Sequence, residues 1–260
     1  MQDHGGFNHN DQTLRVLTHI EKRHPDFNGL NLTWESLEGI VKHNGIVLNS
    51  IPFHTNIYNN KHDLLLSKQP FLESQIAAIS DDVAYNNHDV EDAIRAGLLS
   101  IDQLQENIFF NNIIKQLKNE YSIIDDKLLM FQVLRKSMSM MIQDIYNQTN
   151  KTIIDLEINT KKDLQNCNQF LVSFSPSMQS KANDIKSFLF DNVYNHQNLL
   201  DKRQNVEKII SNLFKYFYKS PNKLPGDWRS INEPIERVIC DYISGMTDRY
   251  ASRLHKDLYE

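Results

Sequence analysis

The chain has 260 residues, of which 40% are hydrophobic and 23% are charged, and its formal net charge at pH 7 is −5. This length and apolar content suffice for a substantial buried core, arranged as one large domain or two small ones. The acidic balance argues against a dedicated nucleic-acid-binding protein, and the sequence has neither a secretory start nor an apolar run of about 20 residues that would cross a membrane. We therefore expect a cytoplasmic protein without a membrane partner.

The first part of the sequence predicts short helices and one long connection. Residues 10–24 carry apolar residues at helical spacing, and a proline follows them. Thr33 is a suitable N-cap for a helix over residues 34–43, and Gly45 lies just past its end. Residues 44–68 form a long irregular connection, a length that is often found in lids and binding loops.

The next segment combines an apolar helical pattern with a group of polar side chains. Its pattern predicts a helix over residues 75–87. Asp81, Tyr85 and Asp89 stand at i, i+4 and i+8, which places them on one helix face. A cation or a polar ligand fits such a face. The alternative is structural, because Asp89 is also a suitable cap for a separate helix over residues 90–96, and clustered carboxylates often form only ion-pair networks.

The rest of the chain is also helical in pattern. Ser100 and Gln103 form a capping-box pattern, and Asp125 or Asp126 opens the helix after it. The remaining predicted helices cover residues 101–118, 126–147, 198–218 and 234–258, and weak strand-like runs occur at residues 152–156 and 169–174. The whole pattern predicts an all-α fold.

Four landmarks follow one another along the chain. They are His-Gly-Gly-Phe-Asn-His-Asn at residues 4–10, Leu-Asn-Leu-Thr-Trp-Glu at 30–35 with Lys-His-Asn-Gly at 42–45, Ser-Asp-Asp-Val-Ala-Tyr-Asn-Asn-His-Asp at 80–89 with Ala-Ile-Arg-Ala-Gly at 93–97, and Ser-Gly-Met-Thr-Asp-Arg-Tyr-Ala at 244–251. In this order they resemble the landmarks of bacterial deoxyguanosinetriphosphate triphosphohydrolase-like proteins, within the HD phosphohydrolase superfamily.

The resemblance implies the remainder of an HD-domain-like helical bundle in residues 1–100 and a C-terminal helical phosphohydrolase-associated region in residues 101–260. It also implies a metal site made of a His, an adjacent His-Asp pair and a distal Asp, of which only the distal residue, Asp81, has a counterpart here. The family's other three ligands precede the landmark that begins here at His4. We therefore expect the chain to be the C-terminal portion of a longer enzyme, holding a divalent metal such as Mg²⁺ or Mn²⁺ with only one ligand of its own.

The resemblance further implies an activity, namely cleavage at the α-phosphorus of a deoxynucleoside triphosphate, dGTP above all, to a deoxynucleoside and intact triphosphate. At or near matching positions stand His9 as a catalytic donor, Tyr85 and Asp89 as contacts to the sugar, and Lys42, His43 and Arg135 as further substrate contacts. Purely structural roles remain as alternatives for several of these residues. His9, Lys42 and His43 lie at predicted helix ends, and Arg135 suits a solvated face.

Three hypotheses follow for the whole chain. It is the distal part of a triphosphohydrolase that works only with the upstream helices, a remnant without activity, or a helical oligomerisation or interaction module. The expected partners are dGTP and either further copies of the chain or a complementing N-terminal fragment. The first hypothesis predicts that the chain alone hydrolyses dGTP poorly or not at all, because a single carboxylate does not hold a divalent ion tightly.

Overall fold

The computed structural model describes residues 1–121, 123 and 125–259, and this part of the chain is helical and contains no β-strand. The all-α prediction is therefore confirmed. The chain divides into two compact units. The first unit comprises Met1–Asn31, Ile51–Lys61 and Gln197–Glu260, and the second comprises Leu32–Ser50 and His62–His196. The functional boundary that we place after residue 100 stays a prediction.

The α-helices of the described residues, in chain order, are α1 (His9–Arg15), α2 (Trp34–Val41), α3 (Phe53–Asn59), α4 (Leu72–Arg95), α5 (Ile101–Leu104), α6 (Ile108–Glu120), α7 (Asp126–Asp155), α8 (Lys161–Gln165), α9 (Pro176–Leu189), α10 (Gln197–Lys219), α11 (Gly226–Arg229), α12 (Ile235–Ser244) and α13 (Asp248–Tyr259). Single turns of 3₁₀ or π type cover Gln2–His4, Val16–Ile20, Phe190–Tyr194 and Pro221–Lys223. Among these residues no helix is both long enough and apolar enough to cross a membrane.

In the first unit, α10 forms a core with α12 and α13. Leu213 and Phe217 of α10 pack with Ile239 and Tyr242 of α12 in one buried cluster. The predicted helix over residues 198–218 is confirmed, whereas the one over residues 234–258 is broken after Gly245. The chain turns there because both halves bury an apolar face in the same cluster, and this requirement outweighs the local helical period.

In the second unit, α4 is one continuous helix of 24 residues. It passes through Asp89 without interruption, so the interpretation of Asp89 as the cap of a separate helix is wrong. The buried side of α4 is apolar at helical spacing, with Val83, Val90 and Ala93 in the core. This packing holds the polar residues of α4 on a regular helix.

Capping residues begin three other helices of the second unit. Thr33 caps α2, Asp125 caps α7, and the capping box of Ser100 and Gln103 begins α5, as predicted. The predicted helix over residues 101–118 is interrupted, because the side chain of Asn107 accepts hydrogen bonds from two backbone N–H groups and starts α6. The weak strand-like runs are wrong: α7 includes residues 152–155, and residues 169–174 are irregular.

Candidate functional site

The most distinctive surface of the second unit is the polar face of α4, which we define by Asp81, Tyr85 and Asp89. Because α4 is unbroken, these side chains stand on successive turns of one side of the helix. The side chain of Asp81 is 79% exposed, Tyr85 is 43% exposed, and Asp89 is partly buried. The i, i+4, i+8 arrangement predicted from the sequence is therefore present and accessible.

Asp81 lies at the edge of an open cavity of about 330 Å³, which we name the Asp81 cavity. His43, just after the end of α2, places its Nε2 4.0 Å from Asp81 Oδ2. Asp82 also lines the cavity, and residues 170 and 172–174 form its apolar wall. The structure thus brings together two carboxylates and an imidazole beside an apolar surface.

Gln75 holds the wall of the Asp81 cavity in place. Its side chain is buried, and its Oε1 accepts hydrogen bonds from the backbone N–H groups of Leu171 at 2.8 Å and Val172 at 3.1 Å. Its Nε2 donates to the carbonyl oxygen of Pro70 at 2.8 Å. A single buried amide therefore fixes an irregular segment to α4, about 96 residues away in the sequence.

Lys186 of α9 adds a cation to this region, although nothing in the sequence pattern indicated it. Its Nζ lies 2.9 Å from Oδ1 of Asp82, and both side chains are partly exposed. Asp82, which follows Asp81 in the sequence, therefore has a cationic partner. In the sequence Lys186 is a lysine in a helical pattern, which is common on solvated faces and does not indicate a site.

Tyr194 completes the other end of the polar face. Its hydroxyl donates a hydrogen bond to Oδ2 of Asp89, and its ring centroid lies 6.0 Å from that of Tyr85. Burial raises the pKa of the Tyr194 phenol far above its usual value, and its hydrogen bonds to Asp89 and Tyr85 raise it further. The Tyr194 phenol is therefore protonated at neutral pH and is a donor to Asp89.

Comparison with known proteins shows what the chain is similar to. Residues 172–257 match the family model of the phosphohydrolase-associated domain. A deoxyguanosinetriphosphate triphosphohydrolase-like protein of Bartonella quintana (strain Toulouse) is 37% identical over 271 residues, which cover all of this chain and 68% of the relative. A protein of the same description from Brucella ovis (strain ATCC 25840 / 63/290 / NCTC 10512) is 36% identical over 273 residues, with the same coverage.

The chain belongs to the deoxyguanosinetriphosphate triphosphohydrolase-like family. Family membership confirms the resemblance that the four landmarks indicated. The match to the phosphohydrolase-associated domain begins at the wall of the Asp81 cavity and includes both Lys186 and Tyr194. The residues that sequence patterns missed thus lie in the part of the chain that the family model recognises.

Lys42 differs from its neighbour His43 in its surroundings. Its side chain is fully buried, and its ammonium forms an ion pair with Glu38 at 2.5 Å and donates to the carbonyl oxygen of Lys68 at 3.0 Å. Burial lowers the pKa of Lys42 and raises that of Glu38, while their mutual attraction opposes both changes. In this deoxyguanosinetriphosphate triphosphohydrolase-like chain His43 lines the Asp81 cavity and Lys42 does not.

Neither Arg135 nor His9 is among the residues that line the Asp81 cavity. Arg135 is exposed on α7 and lines a different cavity of the second unit, of about 490 Å³, together with Asn87 and Glu91. His9 is exposed in the first turn of α1 in the first unit, where Asn8 caps the helix by accepting from the N–H of Asp11. Their predicted contacts with substrate stay predictions.

The donors needed for a divalent ion do not assemble within the described part of the chain. In residues 1–121, 123 and 125–259 no three His, Cys, Asp or Glu side chains group as metal ligands. Asp81 and His43 offer two donors, whereas zinc sites use three or four protein ligands and calcium takes six or more oxygen atoms. By themselves these residues do not fit a closed metal site.

Proposed function

We propose that this chain supplies the sugar-facing and phosphate-facing surface of a dNTP triphosphohydrolase. Its substrate is dGTP, and the reaction cleaves at the α-phosphorus to release the deoxynucleoside and intact triphosphate. The observation that carries the proposal is the polar face of α4, where Asp81, Tyr85 and Asp89 stand in line and Asp81 borders a cavity. The printed descriptions of the relatives support the substrate and the reaction class.

Asp89, Tyr85 and Tyr194 bind the deoxyribose in this proposal. The carboxylate of Asp89 accepts a hydrogen bond from the 3′-hydroxyl, and the exposed ring of Tyr85 lies against the apolar face of the sugar. Tyr194 orients the carboxylate because it donates to Oδ2 and leaves Oδ1 for the substrate. The close approach of the two tyrosine rings narrows the space beside the sugar, which favours deoxyribose over ribose.

The phosphates lie toward Asp81 in this arrangement. Asp81 and Asp82 would repel them, since two like unit charges 4 Å apart cost about 4 kcal/mol at an effective dielectric constant of about 20. The positive charge of Lys186 offsets the negative charge of Asp82. We assign Asp81 to a divalent ion, Mg²⁺ or Mn²⁺, whose other ligands lie outside the described residues. The proposal also includes a catalytic role for His9. It further includes substrate contacts by Lys42, His43 and Arg135, and all of these roles stay predictions.

Hydrolysis by the chain alone is expected to be poor, because two donors hold a divalent ion weakly. The test combines dGTP and Mn²⁺ with the purified chain and quantifies triphosphate and deoxyguanosine by chromatography. We expect release no greater than that of the Asp81→Ala variant. Rapid metal-dependent release by the unmodified chain would contradict this part of the proposal.

Binding tests the surface itself without requiring turnover. Calorimetry with dGTP and Mn²⁺ should show that Asp89→Ala weakens binding about tenfold, as expected for one hydrogen bond to a charged group. Asp102→Ala changes an exposed carboxylate elsewhere in the second unit and provides the matched control. Equal affinities for the two variants would remove the polar face of α4 from the substrate site.

A further inference from the structure

The first unit buries a cluster of charged side chains between α1 and α12. Arg15 of α1 and both Arg237 and Asp241 of α12 are buried. Arg237 and Asp241 stand one helical turn apart, so they face the same side of α12. Charged side chains are seldom buried without partners, and the groups that these two residues hold indicate their roles.

Arg237 holds the turn that leads into α1. Its Nη2 donates hydrogen bonds to the carbonyl oxygens of His4 and Gly6, the second at 3.2 Å. Within the described residues no carboxylate pairs with this guanidinium, and its hydrogen bonds go to backbone carbonyls. A buried cation without a counter-charge is costly, which distinguishes Arg237 from a residue that only stabilises the core.

Gly5 allows this close contact between the turn and α12. Its φ is +84°, in the left-handed region that favours glycine. A Cβ atom on Gly5 would lie 2.9 Å from Nη2 of Arg237 and 2.9 Å from Cγ of Phe53. The guanidinium therefore reaches both carbonyl oxygens because this position has no side chain.

Asp241 holds the body of α1. Its Oδ1 accepts a hydrogen bond from Nε2 of Gln12 at 2.8 Å, and both of its oxygens accept from the guanidinium of Arg15 at 2.7–3.0 Å. Gln12 and Arg15 follow His9 on the same helix. Together, Arg237 and Asp241 fix α1 both at its entry and along its buried side.

His9 lies between these two points of attachment. It is the first residue of α1, and its side chain is exposed. Its carbonyl oxygen accepts from Oγ1 of Thr13 at 2.9 Å, but within the described residues no hydrogen bond or ion pair holds its imidazole. The backbone of the first turn of α1 therefore determines where the imidazole lies. A displacement of about 1 Å in a catalytic group can cost about a hundredfold in rate.

We propose that Arg237 is a positioning residue for His9, and that α12 thereby gives the phosphohydrolase-associated domain a role at the catalytic donor. The family model of that domain covers α12. The proposal rests on the proposed function for the catalytic role of His9. The fixed position of the first turn of α1 depends only on contacts within the first unit.

Hydrogen exchange of the full chain tests the positioning without substrate. Arg237→Met removes the donor to the turn and keeps most of the buried volume. We expect exchange of the Asp11 and Gln12 amides, which hydrogen-bond to Asn8 in the first turn, to accelerate about tenfold. Arg237→Lys keeps a donor and should restore most of the protection.

Ile239→Ala is the matched control for the exchange experiment. Ile239 is fully buried on α12 but packs in the core with α10, so this variant lowers stability without touching the turn. Circular dichroism confirms that the variants fold. Equal acceleration in Arg237→Met and Ile239→Ala, or no acceleration in Arg237→Met, overturns the proposal.

A double-mutant cycle shows whether Arg237 acts through His9. In calorimetry with dGTP and Mn²⁺, Arg237→Met should weaken binding about fivefold to tenfold when His9 is present. It should have no further effect in the His9→Ala chain. A residue with a merely structural role would weaken binding equally in both chains, and that result overturns the proposal.

The two measurements separate this proposal from the proposed function. If exchange accelerates in Arg237→Met but His9→Ala by itself leaves the affinity for dGTP unchanged, the positioning is supported. That outcome counts only against the proposed role of His9.

Discussion

Tyr194 and Asp89 are joined by a hydrogen bond although 105 residues separate them in the sequence. The tyrosine belongs to the π-type turn that follows α9, and the aspartate lies within the last two turns of α4. Their contact brings the C-terminal half of the second unit to the polar face of α4. It also makes one end of the candidate site sensitive to a single hydroxyl.

Tyr194→Phe removes that hydroxyl and keeps the ring. We expect the affinity for dGTP to fall about fivefold to tenfold, because Asp89 loses the donor that orients it, and one such hydrogen bond is worth about 1 kcal/mol. Tyr146→Phe is the matched control, since Tyr146 is 64% exposed on α7. Calorimetric titration with dGTP and Mn²⁺ measures both, and an unchanged affinity for Tyr194→Phe would refute the orienting role.

Because Glu38 and Lys42 form a buried ion pair, we expect substitutions of these two residues to have non-additive effects on the free energy of unfolding. Lys42→Met leaves a fully buried carboxylate without its cation and should reduce the free energy of unfolding by about 3–5 kcal/mol. The double variant Glu38→Leu with Lys42→Met should recover most of that loss. Denaturant titration of the single and double variants measures the coupling, and additive effects would contradict it.

The same double variant tests the predicted substrate contact of Lys42. If Lys42 serves only the buried ion pair, the double variant should bind dGTP as tightly as the unmodified chain. If a stably folded double variant binds dGTP ten times more weakly, the result would support a direct contact between Lys42 and the substrate.

Gln75→Leu should loosen the wall of the Asp81 cavity. The substitution leaves the buried N–H groups of Leu171 and Val172 without their acceptor, which costs about 1–3 kcal/mol for each group left unsatisfied. Gln179→Leu changes an exposed glutamine of the same cavity and should stay within about 0.5 kcal/mol. Hydrogen exchange at residues 170–174 should accelerate only in Gln75→Leu, and unchanged protection there would contradict the role of Gln75 as a clamp.

Because His54 is buried, we expect the stability of the first unit to depend on pH. Burial, together with the nearby guanidinium groups of Arg15 and Arg237, lowers the pKa of His54 to about 4. The unfolded chain binds a proton near pH 6.5 and the folded chain does not, so the stability contributed by His54 is complete above pH 6.5 and decreases as the pH falls toward 4. Because one pKa unit is worth about 1.4 kcal/mol, the expected loss is on the order of 3 kcal/mol.

Denaturant titrations between pH 7 and 4 measure this loss. His54→Leu should flatten the pH dependence over that window, because leucine has no proton to bind. His24, which is exposed in the same unit, provides the control substitution His24→Leu. The carboxylates of Asp11 and Asp241 also face His54, so the comparison of variants at each pH, rather than the slope of one curve, isolates the imidazole. Equal slopes for both variants would contradict the assignment.

Local patterns were good predictors where one helix contains all the relevant residues. Thr33, Asp125 and the pair Ser100 and Gln103 began their helices as predicted, since a cap needs only the backbone N–H groups two or three residues away. Patterns failed where a helix had to stop for tertiary reasons. The interruption near Asn107 and the turn after Gly245 let neighbouring segments bury separate apolar faces, which a local period does not reveal.

The sequence by itself determined the all-α class, the family and the alignment of Asp81, Tyr85 and Asp89, because a 3.6-residue period and ordered landmarks are properties of the linear chain. Only the tertiary structure decided which side chains face them. It buried Lys42 while leaving His43 at the cavity, and it brought Lys186 and Tyr194 to α4 from about 105 residues away. Such contacts depend on how α9 packs against α4, and no short segment encodes that packing.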